Sequence, residues 1–111
     1  MSEYIPDKWV VVKISRDNVE TIYKVFACWY GGWAGSDSWK MNSGITKVTY
    51  GGEVYSFAGY SGSVYECHKN LYGTNMYGQS VLSNLIEKAA KIGTTIEVMP
   101  DETNWLELKY E

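Results

Sequence analysis

No cluster of basic residues occurs anywhere in this 111-residue chain: its 10 Lys and Arg are scattered singly, and its formal net charge is -3. Without such a cluster several phosphates cannot be neutralised together, which sets duplex nucleic acid and anionic membranes aside as partners. The acidic excess is also too small for a disordered chain or a nucleic-acid mimic. The longest uninterrupted apolar run, residues 25–30, is far below the roughly 20 residues that a membrane-spanning helix needs. Cysteine is scarce, with only Cys28 and Cys67, and His68 is the single histidine. No charged and apolar leader precedes Lys8, so the expectation is a cytoplasmic protein with two free, buried thiols. There is no C-x-x-C, H-x-x-H or H-E-x-x-H spacing to preorganise a metal site. Nor does any glycine stretch end in Gly-Lys-Ser/Thr or lie between a strand and a helix start, and no cofactor is implied.

What the chain does have is aromatic side chains, 15% of all residues, with ten tyrosines and five tryptophans in an otherwise ordinary 45% hydrophobic composition. A single domain, residues 1–111, of this length can bury roughly two thirds of its unfolded surface without staples. The aromatic surplus therefore asks for its own explanation.

Residues 9–14 and 21–29 are β-branched and apolar around a polar link, the pattern of an antiparallel hairpin. Residues 30–38 carry turn chemistry and lead back into a strand near Trp39, Lys40 and Met41. Two glycine-containing links, Gly51-Gly52 and Ser61-Gly62, then divide 45–50, 53–60 and 63–69 into a three-stranded meander. With two-residue loops Tyr50 faces Glu53, Val48 faces Tyr55, Tyr60 faces Ser63 and Phe57 faces Glu66. That register places Val48, Tyr55, Phe57, Val64 and His68 on one face. Ile45, Val54, Ala58, Tyr60, Tyr65 and Cys67 fall on the other. Both faces are then apolar, so the sheet is expected either to curl into a small barrel or to be covered on its second face.

The cover available is a helix over 76–92, where Val81, Leu82, Leu85, Ile86, Ala89 and Ala90 recur at helical spacing. Asn75 or Thr74 can cap its start and Gly93 its end. Residues 94–99 and 105–110 alternate as a closing hairpin, the latter with Leu106, Leu108 and Tyr110 on one side. The expected class is α+β, mostly antiparallel β with about seven short strands and one long helix.

Each chemical candidate has a plain structural reading beside it. Gly59-Tyr60-Ser61-Gly62 is superficially like a G-x-S-x-G nucleophile elbow, but Ser61 falls in a hairpin turn and not between a strand and a helix. Cys67 and His68 look like a nucleophile and its base, yet neighbours on a strand point to opposite faces and cannot bond each other. Cys28 and Cys67 read more simply as a contact between neighbouring buried strands. Aromatics on a turn-rich rim can stack on sugars or unpaired bases, or can plug the ends of a barrel. Trp29 continues an apolar strand and belongs to the core on this reading, whereas Trp33, bracketed by glycines, and Trp39 are open to a binding role. Asp37 is placed to accept backbone hydrogen bonds that close its loop.

Tyr30-Gly31-Gly32 leading to Asp37-Ser38-Trp39-Lys40 and Ser43-Gly44-Ile45-Thr46-Lys47, followed by residues 59–69, resembles a family of small uncharacterised proteins of tailed phages of marine bacteria. The resemblance covers the chain from Pro6 to about residue 98 and implies expression in an infected bacterial cytoplasm, with no catalytic residue carried over. From the residues, the expected function is a non-enzymatic binding module for a protein or a small ligand such as a sugar, with Trp33, Asp37, Trp39, Tyr60 and His68 as the candidate site. The alternatives are a self-assembling subunit that pairs through an exposed strand edge, and a small hydrolase using Cys67 or Ser61 with His68.

Overall fold

The computed structural model describes residues 3–31 and 37–110. Over these the chain is α+β, with two open four-stranded sheets and one helix in three layers. The first hairpin forms as the pattern predicts: β2 (Lys8–Arg16) and β3 (Val19–Trp29) pair antiparallel around a two-residue turn, with Asn18 at φ 63°. They are the middle of one sheet, flanked by β4 (Ser38–Met41) and β8 (Thr94–Val98). Both of its faces are covered, which is why Trp9-Val10-Val11-Val12 and Val25-Phe26-Ala27-Cys28 are unbroken buried runs and do not alternate.

The meander, β5 (Ile45–Gly51), β6 (Val54–Gly59) and β7 (Val64–His68), makes the second sheet, and β1 (Glu3–Tyr4) adds to β7 in parallel. Nothing in the sequence pattern announces that two-residue strand. Neither sheet closes, so the curled barrel does not form among the described residues. The register of the meander also differs from the one that two-residue loops imply. Gly52 and Glu53, at φ 59° and 66°, form the β5–β6 turn, so Tyr50 faces Tyr55 and Val48 faces Phe57. The β6–β7 link is a three-residue loop, Tyr60-Ser61-Gly62, inside the Gly59 N–H to Ser63 carbonyl bond of 3.0 Å. Phe57 consequently faces Tyr65, and Tyr55 faces Cys67. One extra loop residue turns every β7 side chain over. Tyr65 and Cys67, not Val64 and His68, join Phe57 on the inner face, and Val54, Ala58, Val64 and His68 share the outer face with Lys47, Thr49, Ser56 and Glu66.

That inner face packs on the odd-numbered side chains of the central sheet, Trp9, Val11, Val25 and Ala27. The helix covers the opposite face of the central sheet, not the meander. α1 (Met76–Lys91) lays Leu82, with half-buried Val81, Leu85 and Ile86, against Val10, Val12, Phe26 and Cys28. Asn75 caps it by accepting the Gly78 N–H at 2.6 Å, and Gly93 follows its end at φ 78°. Cys28 and Cys67 are therefore on opposite sides of the central sheet, in separate cores, and both are free. Their expected contact does not exist.

The closing hairpin is also absent. Residues 105–110 form turns: the Asn104 side chain accepts the Leu106 N–H at 3.2 Å and its carbonyl accepts the Glu107 N–H at 3.1 Å. Those local bonds compete with a ladder. Trp105 is buried at 2% exposure while Leu106 is exposed, the reverse of the alternation expected. Its indole packs among Trp9, Tyr72 and Phe57 at centroid distances of 5.8, 5.5 and 6.4 Å. Tyr72 locks this cluster, accepting from the Val11 N–H and donating to the Met99 carbonyl, and burial pushes its hydroxyl up to about 12.

The β1–β7 pairing sets the Glu3 and Glu66 carboxyls together, and the hydrogen bond and negative charge of Glu3 hold Glu66 above its ordinary 4.5. A carboxyl raised by folding contributes stability in full below its unfolded value and loses it as pH rises through the folded value. Thermal midpoints from pH 4 to 7 are expected to fall with rising pH more steeply in the wild type than in Glu66→Gln. Equal slopes would show that the pair is not formed in solution.

Candidate interaction surface

The end of β3 and both ends of the following loop are pinned by side chains. Asp7 accepts the Tyr30 N–H at 2.9 Å and Asp37 accepts the Gly31 N–H at 2.9 Å. The Trp29 indole donates to the Ile5 carbonyl at 2.9 Å, and the Asn75 amide reaches the Trp29 carbonyl at 3.3 Å, tying the helix cap to the same strand end. Asp37 thus closes the loop in the way its sequence neighbours suggested. Trp33 lies outside the described residues.

Trp39 sits on β4 directly opposite Cys28 and stacks on buried Phe26, with centroids 5.3 Å apart and planes inclined by 16°. It retains 37% exposure, so the ring is held flat against the core with one side outward. Tyr30, directly after β3, and Met76 and Tyr77, in the first turn of α1, are also exposed, Met76 at 93%. Met76 directly follows the cap and lies outside the helix's apolar stripe, a signal the sequence carries but that the choice of aromatics alone passes over. Lys40, between Trp39 and Met41, reaches toward the other sheet and lies 5.1 Å from the centre of the Tyr4 ring.

The backbone of β4 adds a second feature. The Asn42 N–H donates to the Val25 carbonyl and its side-chain oxygen accepts the Val25 N–H, at 3.1 and 2.9 Å. Antiparallel ladders alternate, so Lys40 and Ser38 bond β3, and the N–H and C=O of Trp39 and Met41 face away from it. β4 is the outer strand of its sheet. Among the described residues nothing bonds those main-chain groups, which form an open edge beside the exposed tryptophan.

The remaining candidates are elsewhere. Tyr60 is at the tip of the β6–β7 loop, its ring against Gly44 and 63% exposed, and neighbouring Ser61 and Ser43 bond each other. His68 is at the other end of β7, about 16 Å of strand away. There its Nδ1 accepts the Asn70 N–H at 3.2 Å and its Nε2 is 4.0 Å from Glu53. Asp37 and Trp39 are sequence neighbours at the start of β4, and Tyr60 and His68 lie at opposite ends of β7. Cys67 is buried on the opposite face from His68, its thiol donating to the Tyr65 carbonyl at 3.7 Å. Burial, then the Glu66 charge, push that thiol well above its ordinary value, and burial raises Cys28 as well.

Among the described residues there is no enclosed pocket, no group of three or more His, Cys, Asp and Glu placed to hold a metal, and no helix long and apolar enough to cross a membrane. Comparison with protein-family models, with curated proteins and with solved structures gives no match to this chain.

Proposed function

We propose that this chain is a non-enzymatic interaction module whose partner is an extended protein segment that adds to the open edge of β4. The observation that carries this reading is the coincidence, on one short strand, of unpaired main-chain groups and a tryptophan held flat with one face outward. Strand addition draws affinity from such main-chain groups and specificity from the side chains beside them. Tyr30, after β3, and Met76 and Tyr77, at the start of α1, add exposed side chains of types enriched at interfaces. Lys40, central in the strand, favours an acidic residue opposite it. The resemblance to small phage proteins supplies the setting we propose, the cytoplasm of an infected bacterium, with a host or virion protein as partner.

The test is capture from bacterial lysate by the wild type and by Trp39→Ala, followed by titration of the captured partner's binding segment. Trp39→Ala is expected to weaken binding by about 2 kcal/mol, roughly 30-fold, while circular dichroism stays unchanged because the ring is half-exposed. Hydrogen exchange at the Trp39 and Met41 amides should slow when the segment binds. Unchanged affinity in Trp39→Ala, or unchanged exchange at both amides, would sink the reading.

A further inference from the structure

The second open edge is β5, the outer strand of the meander sheet. Its hydrogen-bonding phase follows from the turn. With Gly52 and Glu53 both at positive φ in a two-residue loop, Gly51 and Val54 close the ladder as a bonded pair. Thr49 and Lys47 therefore also bond β6, and the N–H and C=O of Val48 and Tyr50 point away from it. The alternate phase of β6 agrees, since Gly59 bonds Ser63 on the β7 side. No backbone or side-chain group among the described residues bonds the main chain of Val48 or Tyr50. Lys47, Thr49, Tyr50 and Gly51 are all exposed.

We propose that two copies of the chain pair antiparallel through β5, with Thr49 facing the partner's Thr49 on the two-fold axis. In that register Val48 meets the partner's Tyr50 and Tyr50 the partner's Val48, each pair exchanging two main-chain bonds, so all four free groups of each strand are used. The side chains agree with the backbone. Thr against Thr and Tyr against Val are favourable cross-strand neighbours, and Lys47 meets the partner's Gly51, so no like charges oppose. The same operation on β4 sets Lys40 against the partner's Lys40, which disfavours self-pairing there and leaves that edge to another chain. β8 has α1 laid close beside it. A single short strand pair is a small interface, so the dimer is weak and concentration-dependent.

Thr49→Cys tests both the edge and the register. At a pair that does not exchange hydrogen bonds the two Cα atoms are about 4.5 Å apart, within disulfide range. The native thiols are buried and stay out of the reaction. Sedimentation of the wild type up to about 1 mM is expected to show a reversible monomer–dimer equilibrium, that being the range where weak association is populated. Mild oxidation should cross-link Thr49→Cys at least tenfold faster than Lys47→Cys. Thr49→Lys, on an exposed position, should weaken the dimer at least tenfold while leaving the circular dichroism of the monomer intact. A strictly monomeric wild type, or a dimer in which Lys47→Cys cross-links as fast as Thr49→Cys, overturns the proposal. Capture of an extended peptide by β5 in place of a second copy does so too. None of these readouts involves Trp39, so the β4 reading stands or falls separately.

Discussion

Gly78→Ala is expected to lower the stability of the fold by about 3 kcal/mol, although alanine is the better helix former, because added volume in a packed core commonly costs 1–3 kcal/mol. A Cβ on this residue would lie 2.3 Å from the Cys28 sulfur and 2.9 Å from the Asn75 side-chain oxygen that caps the helix. Neither atom is free to move, since Cys28 is fully buried and Asn75 holds both the Gly78 N–H and the Trp29 carbonyl. The whole first turn of α1 has to lift from the sheet. Urea denaturation followed by circular dichroism measures the loss. The assignment to Cys28 is checked by the double variant: Cys28→Ala removes the sulfur and leaves only the Cβ, at 3.4 Å, so Cys28→Ala/Gly78→Ala should recover part of the stability lost in Gly78→Ala. An additive double variant would mean that the helix is not seated on Cys28.

Trp105→Ala is expected to cost about 4 kcal/mol, the range for truncating a buried aromatic, out of the roughly 5–15 kcal/mol that a domain of this kind possesses. The indole is buried in the inter-sheet core, in contact with rings from β2, β6 and the segment before α1. The Tyr110 hydroxyl donates to the main-chain carbonyl of residue 105 at 2.6 Å, a bond that alanine retains, so the loss reads the indole's packing. Leu106→Ala, one residue on and 53% exposed, is the control and should fall within about 0.5 kcal/mol of the wild type. Chemical denaturation monitored by circular dichroism, which does not depend on tryptophan emission, distinguishes the two. Equal midpoints would restore the strand that alternation alone suggests for this segment.

These two residues also mark where sequence reasoning holds and where it stops. The helix, its cap at Asn75 and its end at Gly93 follow from spacing and local chemistry. So do the first hairpin and the existence of three meander strands, because each depends on contacts within a few residues. Gly78 sits inside that well-specified helix, yet nothing in the helical period says that its missing side chain makes room for a sulfur fifty positions earlier. Trp105 shows the opposite failure. Alternation was present, but Asn104 and the buried position of the indole decided the conformation.

The candidate site divides in the same way. Asp37 as a loop clasp was legible from its serine and tryptophan neighbours, since a short acidic side chain in a turn has few other partners. That Trp39 lies half-open on Phe26, and that Tyr60 and His68 fall at opposite ends of β7, depends on strand pairing and loop length, which local sequence does not encode.

By itself the amino-acid sequence determined the class of the fold, the place of its helix and the existence of the first hairpin and the meander strands. Periodicity reports that a face is buried but not against what. Only the tertiary structure decided that the helix covers the first hairpin and not the meander, and that the cysteines lie on opposite sides of one sheet. It decided too that a single extra residue in the Tyr60-Ser61-Gly62 loop turns Tyr65 and Cys67 inward, because a strand's period of two makes every face assignment hostage to the length of the turn before it.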